Sequence, residues 1–247
     1  MFDFQPTSGL LASKTILVTG AGDGIGKEAA LQFAKYGATV ILLGKTVSKL
    51  EAVYDKIVKN GGPEPAIIPL DLQGATAQHY RDMANTIDTQ FPSLDGVLHN
   101  ASLLGHLEPL QQISEEDWNK VMQVNVNSQF FMTQALIPVL KKSNNASIVF
   151  TTSSVGLKGR AYWGSYSISK FATQGMMEVI ADENENTSIR ANCINPGGTR
   201  TNMRAQAFPG EDPETLKTPA DIMPLYLYLM SDESKHETGK TFHAQPK

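Results

Sequence analysis

The sequence contains a single cysteine, Cys193, so the chain cannot form a disulfide with itself. It also lacks a long apolar segment: the strongest run near the C-terminus, residues 223–230, includes Pro224 and is too short to span a membrane. Residues 1–13 have neither the basic region nor the apolar core of a signal peptide. We therefore expect a cytoplasmic protein without a membrane partner, in which Cys193 is a buried core residue.

An excess of positive charge is also missing, because 21 Lys and Arg stand against 25 Asp and Glu, for a net charge of −4. Nucleic acids and anionic membranes bind strongly basic surfaces, which this composition does not supply. The five histidines are scattered, and no Cys, His and Asp residues have the spacing of metal ligands. We therefore expect no nucleic-acid partner and no metal site.

Short apolar segments, typical of buried strands, alternate with segments of helical periodicity along the chain. The predicted strands are residues 15–19, 39–43, 66–70, 96–99, 147–151, 188–194 and 241–244. The predicted helices are residues 25–36, 48–59, 75–90, 114–140, 166–181 and 218–230. This alternation predicts an α/β fold, a doubly wound Rossmann domain with about seven parallel strands and helices on both faces.

No break in composition divides the chain, so we expect residues 1–247 to form one domain, with an N-terminal extension over residues 1–13. The one long irregular stretch, residues 196–217, is rich in Gly, Pro and charge. A loop of that length often covers a site, so we expect it to be a substrate lid.

Four glycines occupy alternate positions between the first predicted strand and helix. Glycine at such a turn lets backbone amides approach a pyrophosphate at the positive end of the helix. The carboxylate of Asp23, within this loop, is unfavourable near phosphates unless it faces solvent. The expected cofactor contacts in this loop are Gly20, Gly22, Asp23, Gly24, Ile25 and Gly26.

Gly44-Lys45 follows the second predicted strand, where many dinucleotide folds place an acid on the adenosine ribose hydroxyls. The missing acid and the ammonium of Lys45 favour NADP over NAD, although NAD stays open and a plain surface lysine is the alternative interpretation.

Polar residues also follow the third and fourth strands. Asp71-Leu72 could bracket the adenine, or Asp71 could cap the next helix instead. Asn100-Ala101 follows the fourth strand, at the carboxyl edge where open α/β sheets bind ligands.

Tyr166 and Lys170 are four residues apart, so on a helix their side chains share one face. A fixed ammonium beside a phenol favours the phenolate and lowers the phenol's pKa from about 10 toward the range of general acid and base catalysis. An isolated Tyr-x3-Lys is more often a surface pair. Here Asn125 and Ser153 precede it in order, 41 and 13 residues before Tyr166.

These motifs resemble those of the short-chain dehydrogenase/reductase family over nearly the whole chain. The family's glycine motif corresponds to residues 19–26, and its Asn-Asn-Ala-Gly element to residues 99–102. Its Pro-Gly segment corresponds to Pro196-Gly197, which places Thr199 and Thr201 to meet the nicotinamide carboxamide. Within the family, residues 124–127, 192–201 and 218–226 are most similar to the bacterial YciK-type oxidoreductases.

The resemblance implies a catalytic tetrad of Asn125, Ser153, Tyr166 and Lys170 and a hydride transfer between NADP(H) and a carbonyl or secondary alcohol. Tyr166 would be the acid and base, Ser153 would bind the substrate oxygen, Lys170 would hold the nicotinamide ribose, and Asn125 would fix a water. A small-molecule substrate and a homodimer or homotetramer are implied too. The alternative hypothesis is a dinucleotide-binding regulatory or scaffold protein without catalysis.

The sequence departs from the family at two places. Ser102 replaces a glycine next to the cofactor, and residues 238–247 lack the family's double glycine after the last strand. The predicted lid carries apolar residues beside Arg200 and Arg204, which is typical either of an apolar pocket with an anionic contact or of a mobile cover.

Overall fold

A computed structural model describes residues 2–246 and shows one sheet of seven parallel strands in the order β3-β2-β1-β4-β5-β6-β7. The strands are β1 Thr15–Thr19, β2 Thr39–Gly44, β3 Ala66–Pro69, β4 Gly96–His99, β5 Ala146–Thr151, β6 Ile189–Asn195 and β7 Lys240–His243. The predicted number, order along the chain and direction of the strands are confirmed.

Helices connect the strands on both faces of the sheet. They are α1 Gly24–Lys35, α2 Val47–Lys59, α3 Ala77–Gln90, α4 Glu115–Met122, α5 Ser128–Leu140, α6 Gly164–Glu183, α7 Asn202–Ala207 and α8 Met223–Met230. The helix predicted over residues 114–140 is α4 and α5, joined by a π-helical turn, Gln123–Asn127. Such wider turns are frequent at functional sites.

Each inner strand is buried on both sides, so its residues alternate between two cores. In β1, Ile16 and Val18 belong to the core that packs against α1, α2 and α8, whereas Leu17 belongs to the core under α3, α5 and α6. Cys193 in β6 is buried in the second core. A continuous apolar run such as residues 16–18 therefore specifies a sheet covered on both faces.

The N-terminal segment packs on the last helix. The rings of Phe2 and Phe4 lie 5.2 and 5.3 Å from the ring of Tyr228 in α8, and Leu11 is fully buried. None of the helices formed by residues 2–246 is long and apolar enough to cross a bilayer.

The strand order places the ligand site. β1 lies between β2 and β4. Strands β2 and β3 are therefore added on one side of β1, and strands β4 to β7 are added on the other side. The loops after β1 and β4 separate at this point and leave a crevice at the carboxyl ends of the strands, where open α/β sheets bind ligands.

Candidate active site

A cavity of about 500 Å³ lies at this carboxyl edge. Two predicted residues, Gly26 and Asn125, do not line it. The cavity lining includes these predicted site residues: Gly20, Gly22, Asp23, Gly24, Ile25, Lys45, Asp71, Leu72, Asn100, Ala101, Ser153, Tyr166, Lys170, Pro196, Gly197, Thr199 and Thr201. The fold therefore brings together side chains and loops that are far apart in the sequence.

The glycine loop adopts backbone conformations that favour glycine. Gly20 and Gly24 have φ values of 67° and 52°, in the left-handed region. Gly26 serves packing instead, because a Cβ there would lie 2.4 Å from the carbonyl oxygen of Gly20. The start of α1 can therefore approach the loop closely, which gives a phosphate access to backbone amides at the helix end.

Asp23 caps α1, since its Oδ1 accepts a hydrogen bond from Gly24 N at 2.8 Å. Its Oδ2 lies 2.6 Å from Nζ of Lys49, and this contact lowers the pKa of Asp23 below its usual value. The carboxylate is half exposed and paired with a cation, which moderates the repulsion that a bound phosphate would meet. The sequence analysis did not identify Lys49, because Lys49 lies in α2 and its partner Asp23 lies in the glycine loop.

At the adenosine end of the crevice, Lys45 is exposed and has no hydrogen-bond or ion-pair partner within residues 2–246. Asp71 accepts a hydrogen bond from Gln73 N at 3.1 Å. It does not cap α3, because Thr76 is the capping residue of that helix. The helix-cap alternative for Asp71 is therefore wrong, and its carboxylate borders the cavity.

Thr19, at the end of β1, joins the glycine loop to the loop after β4. Its Oγ1 accepts hydrogen bonds from Asn100 N at 2.9 Å and Ala101 N at 3.0 Å, and donates one to Leu98 O at 3.2 Å. Thr19 fixes the two sides of the crevice relative to each other. The sequence contained this residue in the glycine motif, but its partners lie about 80 residues away.

Lys170 carries a buried ammonium group. The residue is 1% exposed, and its Nζ donates one hydrogen bond, to Thr151 O at 2.8 Å. The same Nζ lies 5.4 Å from the ring centre of Tyr166. Burial lowers the pKa of Lys170 to about 8. An ammonium has three N–H donors, so two of them remain for a ligand.

Tyr166 is also buried, with 8% exposure. Burial raises the pKa of Tyr166 to about 12, and the neighbouring hydroxyl of Ser153 partly opposes this shift. The expectation that Lys170 lowers the pKa of Tyr166 below its ordinary value is thus not met by these residues alone. Desolvation of the phenolate outweighs the effect of an ammonium whose nitrogen lies 5.4 Å from the ring centre.

Asn125 lies in the π-helical turn and is fully buried. Its Oδ1 accepts a hydrogen bond from Leu103 N at 2.8 Å, while its Nδ2 donates to Leu103 O at 2.9 Å and to Ser169 Oγ at 3.0 Å. The side chain therefore ties the loop after β4 to α6. Both amide hydrogens of Asn125 are used, so a water held by this residue has to donate a hydrogen bond to one of its oxygen atoms.

Three hydroxyl groups on the cavity wall are buried and have no hydrogen-bond partner within the described part of the chain: those of Ser102, Thr151 and Thr152. Buried hydroxyls normally have a partner, and leaving one unpaired costs about 1–3 kcal/mol. This wall fits a polar ligand such as the ribose and carboxamide of a nicotinamide dinucleotide.

The C-terminal tail holds the loop that follows β6. Nε2 of Gln245 donates to Pro196 O at 2.9 Å and to Gly198 O at 3.0 Å. Gly197 has a φ of 74°, and a Cβ there would lie 3.0 Å from the same Nε2. The tail without the double glycine thus positions the loop predicted to face the nicotinamide.

Residues 196–217, the predicted lid, contain α7 and reach across the crevice. Asn202 Nδ2 lies 3.4 Å from Asp23 Oδ2 in the glycine loop. Near Tyr166 the wall is apolar, because Met203 and Ala207 of α7 pack against the small core that contains Tyr166. Trp163 belongs to this wall, with its ring 5.9 Å from the ring of Tyr166.

Comparisons with known proteins agree with this geometry. The sequence model of the short chain dehydrogenase family matches residues 14–212. The chain belongs to the short-chain dehydrogenase/reductase family, whose members are NAD(P)-dependent oxidoreductases, and the resemblance seen in the motifs is confirmed.

Within the family, the chain is similar to YciK, an uncharacterised oxidoreductase of Escherichia coli K12. The two are 57% identical over 243 residues, which cover 98% of this chain and 96% of YciK. A short-chain dehydrogenase of E. coli CFT073, crystallised with NADPH, is 57% identical, with a TM-score of 0.95 and coverage of 98% and 100%. One of Shigella flexneri 2a strain 301, crystallised with NADP, is 56% identical, with a TM-score of 0.95 and coverage of 97% and 100%.

The buried ammonium predicts that Lys170→Met is more stable than the wild type at about pH 7, because the variant buries no charge. The folded pKa, about 8, lies below the ordinary value of 10.5, so the unfolded state binds more protons between these values. The cost to the wild type is full below about pH 8 and is lost as the pH rises further.

Thermal unfolding followed by circular dichroism between about pH 7 and pH 10 checks this. The melting temperature of Lys170→Met should exceed that of the wild type by a few degrees at the lower pH, and the gap should close as the pH rises. A variant that melts below the wild type at both ends would contradict it.

Proposed function

We propose that this protein is an NADP(H)-dependent oxidoreductase that transfers a hydride between the nicotinamide and a carbonyl or secondary alcohol substrate. One observation carries the proposal: Ser153, Tyr166 and Lys170 border the same cavity as the glycine loop and Lys45. A dinucleotide laid along the crevice would have its phosphates on the loop and its nicotinamide near Tyr166. The nicotinamide supplies the hydride, and the chain supplies orientation and proton transfer.

Tyr166 is the proposed acid and base. Its hydroxyl would donate a proton to the carbonyl oxygen during reduction and accept one from the alcohol during oxidation. The Ser153 hydroxyl, beside it, would hydrogen-bond the same oxygen and hold it in place. The apolar wall formed by Trp163 and α7 would exclude water from the reacting carbon.

Lys170 is the proposed partner of the nicotinamide ribose, through the two N–H groups that Thr151 leaves free. Its charge would also favour the phenolate form of Tyr166, since the two groups are buried together in a medium of low dielectric constant. Asn125 would act indirectly, by fixing the positions of α6 and the loop after β4 through its hydrogen bonds.

Lys45 is the proposed ligand of the 2′-phosphate that distinguishes NADP from NAD. It borders the cavity after β2, its ammonium is unpaired within residues 2–246, and Lys49 lies on the same side. The NADP and NADPH complexes of the two relatives described above support this choice.

A homodimer or homotetramer is part of the proposal. Phe130 of α5 and Phe171 and Val179 of α6 are 47%, 45% and 56% exposed, and exposed apolar side chains that form one patch mark an interaction surface. A second copy of the chain would cover them, and a monomeric mass by light scattering would contradict this.

The catalytic role of Tyr166 predicts that Tyr166→Phe lowers kcat for any accepted ketone by about 100-fold or more, because a general acid contributes that much. NADPH binding, followed by nicotinamide fluorescence, should change by less than about twofold. Tyr162→Phe is the matched control, since Tyr162 is 62% exposed and lies outside the cavity lining.

Two results would contradict the catalytic proposal. Turnover that survives in Tyr166→Phe would remove Tyr166 from the chemistry. Tight NADPH binding by the wild type without turnover of diverse ketones, aldehydes and alcohols would favour the alternative, a dinucleotide-binding regulatory or scaffold protein.

The role of Lys45 predicts that Lys45→Ala weakens NADPH binding by about tenfold or more and leaves NADH binding nearly unchanged, because only NADPH loses a charge-assisted hydrogen bond. Side-by-side fluorescence titrations measure both. Lys59→Ala, at the exposed end of α2 and away from the cavity, controls for net charge. Equal losses for both cofactors would contradict the 2′-phosphate role of Lys45, and equal binding of NADPH and NADH by the wild type would reopen NAD as the cofactor.

A further inference from the structure

Arg204, in α7 of the lid, is a positively charged residue on the wall of the cavity. Its guanidinium is held on one edge, where Nε and Nη2 each donate to a carboxylate oxygen of Glu211 at 2.6 Å. The guanidinium carbon also lies 3.7 Å from the ring centre of Phe208. Two planar contacts therefore fix the orientation of this group before any ligand arrives.

The other edge of the guanidinium is free. An arginine has five N–H donors in a fixed fork, and Glu211 uses only two of them. Within residues 2–246 the Nη1 donors have no partner, and the side chain is 27% exposed. The Nη1–Nη2 edge thus offers a second bidentate position for a carboxylate or a phosphate-type group.

Apolar and aromatic side chains connect Arg204 to Tyr166. The ring of Phe208 lies 5.8 Å from the ring of Trp163, which lies 5.9 Å from the ring of Tyr166. This order places an apolar stretch between the acid and base and the guanidinium.

The distribution of charged residues along the cavity wall also favours an anion near Arg204. Its two carboxylates, Asp23 and Asp71, lie in the glycine loop and after β3, at the cofactor end. Arg160, in the segment before α6, also borders the cavity and has no ion-pair partner within the described chain. The wall at the substrate end is therefore apolar with two arginines, and the carboxylate that pairs with Arg204, Glu211, lies outside the cavity lining.

We propose that the substrate of this enzyme carries an anionic group that binds Arg204, joined by an apolar segment to the carbon that reacts at Tyr166. The substrate class is then an oxo acid or hydroxy acid, or the corresponding phosphate or phosphonate, rather than a neutral ketone. This inference rests on the proposed oxidoreductase function.

The cofactor pyrophosphate is the other anion that could reach the lid. The geometry favours the substrate, because α7 meets the glycine loop through Asn202, at its first residue, whereas Arg204 packs with Phe208 toward Trp163. A test therefore has to separate an effect on substrate-like anions from an effect on cofactor affinity.

Binding of unreactive probes, measured by isothermal titration calorimetry with and without saturating NADP⁺, tests the proposal without needing turnover. The probes are phenylalkanoates with two to five methylene groups, their amides, and the matching phenylalkylphosphonates. We expect at least one carboxylate or phosphonate of the series to bind about tenfold or more tightly than its amide. The two anion series then tell which anionic group is preferred.

Arg204→Met should abolish this preference, because methionine keeps an apolar side chain of similar reach but has no charge or N–H donors. Arg204→Lys should retain part of it. Arg200→Met is the matched control: Arg200 lies in the same lid and pairs with Glu214 at 2.9 Å, but it does not line the cavity. The anion preference should survive in Arg200→Met.

Three results would overturn the proposal: no probe that binds better than its amide, an anion preference that survives in Arg204→Met, or one that Arg200→Met loses equally. A loss of NADP⁺ affinity in Arg204→Met with the probe preference intact would assign Arg204 to the pyrophosphate, and would also overturn it. Failure of the oxidoreductase proposal shows separately, as absent NADPH-dependent turnover of neutral ketones and of oxo acids alike.

Discussion

The ammonium of Lys170 is buried with one hydrogen-bond partner, and the rest of the site is built around that unfavourable placement. Taking a charge out of water costs several kcal/mol unless other groups satisfy it. The chain keeps Lys170 there because the end of β5 supplies the carbonyl of Thr151 and because Gly156 leaves room: a Cβ on Gly156 would lie 2.7 Å from the Cβ of Lys170. A ligand with hydroxyl groups would satisfy the two remaining donors, and a cofactor bound there would stabilise the folded chain.

The parallel sheet makes this arrangement possible, because all seven strands end at the edge where the cavity lies. Long-range hydrogen bonds then fix the loops: Thr19 joins the loops after β1 and β4, Asn125 joins the loop after β4 to α6, and Gln245 holds the loop after β6. None of these three side chains needs to touch a substrate to matter. They set the positions of the loops that line the cavity.

Much of this was readable from the sequence. The residues of β1 and β4 were predicted to the residue, since buried parallel strands are short continuous apolar runs between turn residues. Most of the site motifs were found because they follow strands, whereas Tyr166 and Lys170 were found from their helical spacing. The pairing of Asp23 with Lys49 and the contacts of Gln245 were not, since they depend on which loops become neighbours. The pKa of Tyr166 was misjudged for the same reason: helical spacing shows that Lys170 is near, but the desolvation that dominates is a property of the folded core.

We expect the bound cofactor and Lys170 together to lower the pKa of Tyr166 into the range of acid and base catalysis. The positive charge of an oxidised nicotinamide beside the phenol would add to that of Lys170 and offset the burial that holds the pKa of Tyr166 at about 12. The direct measurement is an absorbance titration of the phenolate in the NADP⁺ complex, as the difference between wild type and Tyr166→Phe. In this complex Tyr166 should ionise below about pH 10, the ordinary value for a phenol. A Tyr166 phenolate that forms only near pH 12 with NADP⁺ bound would contradict it.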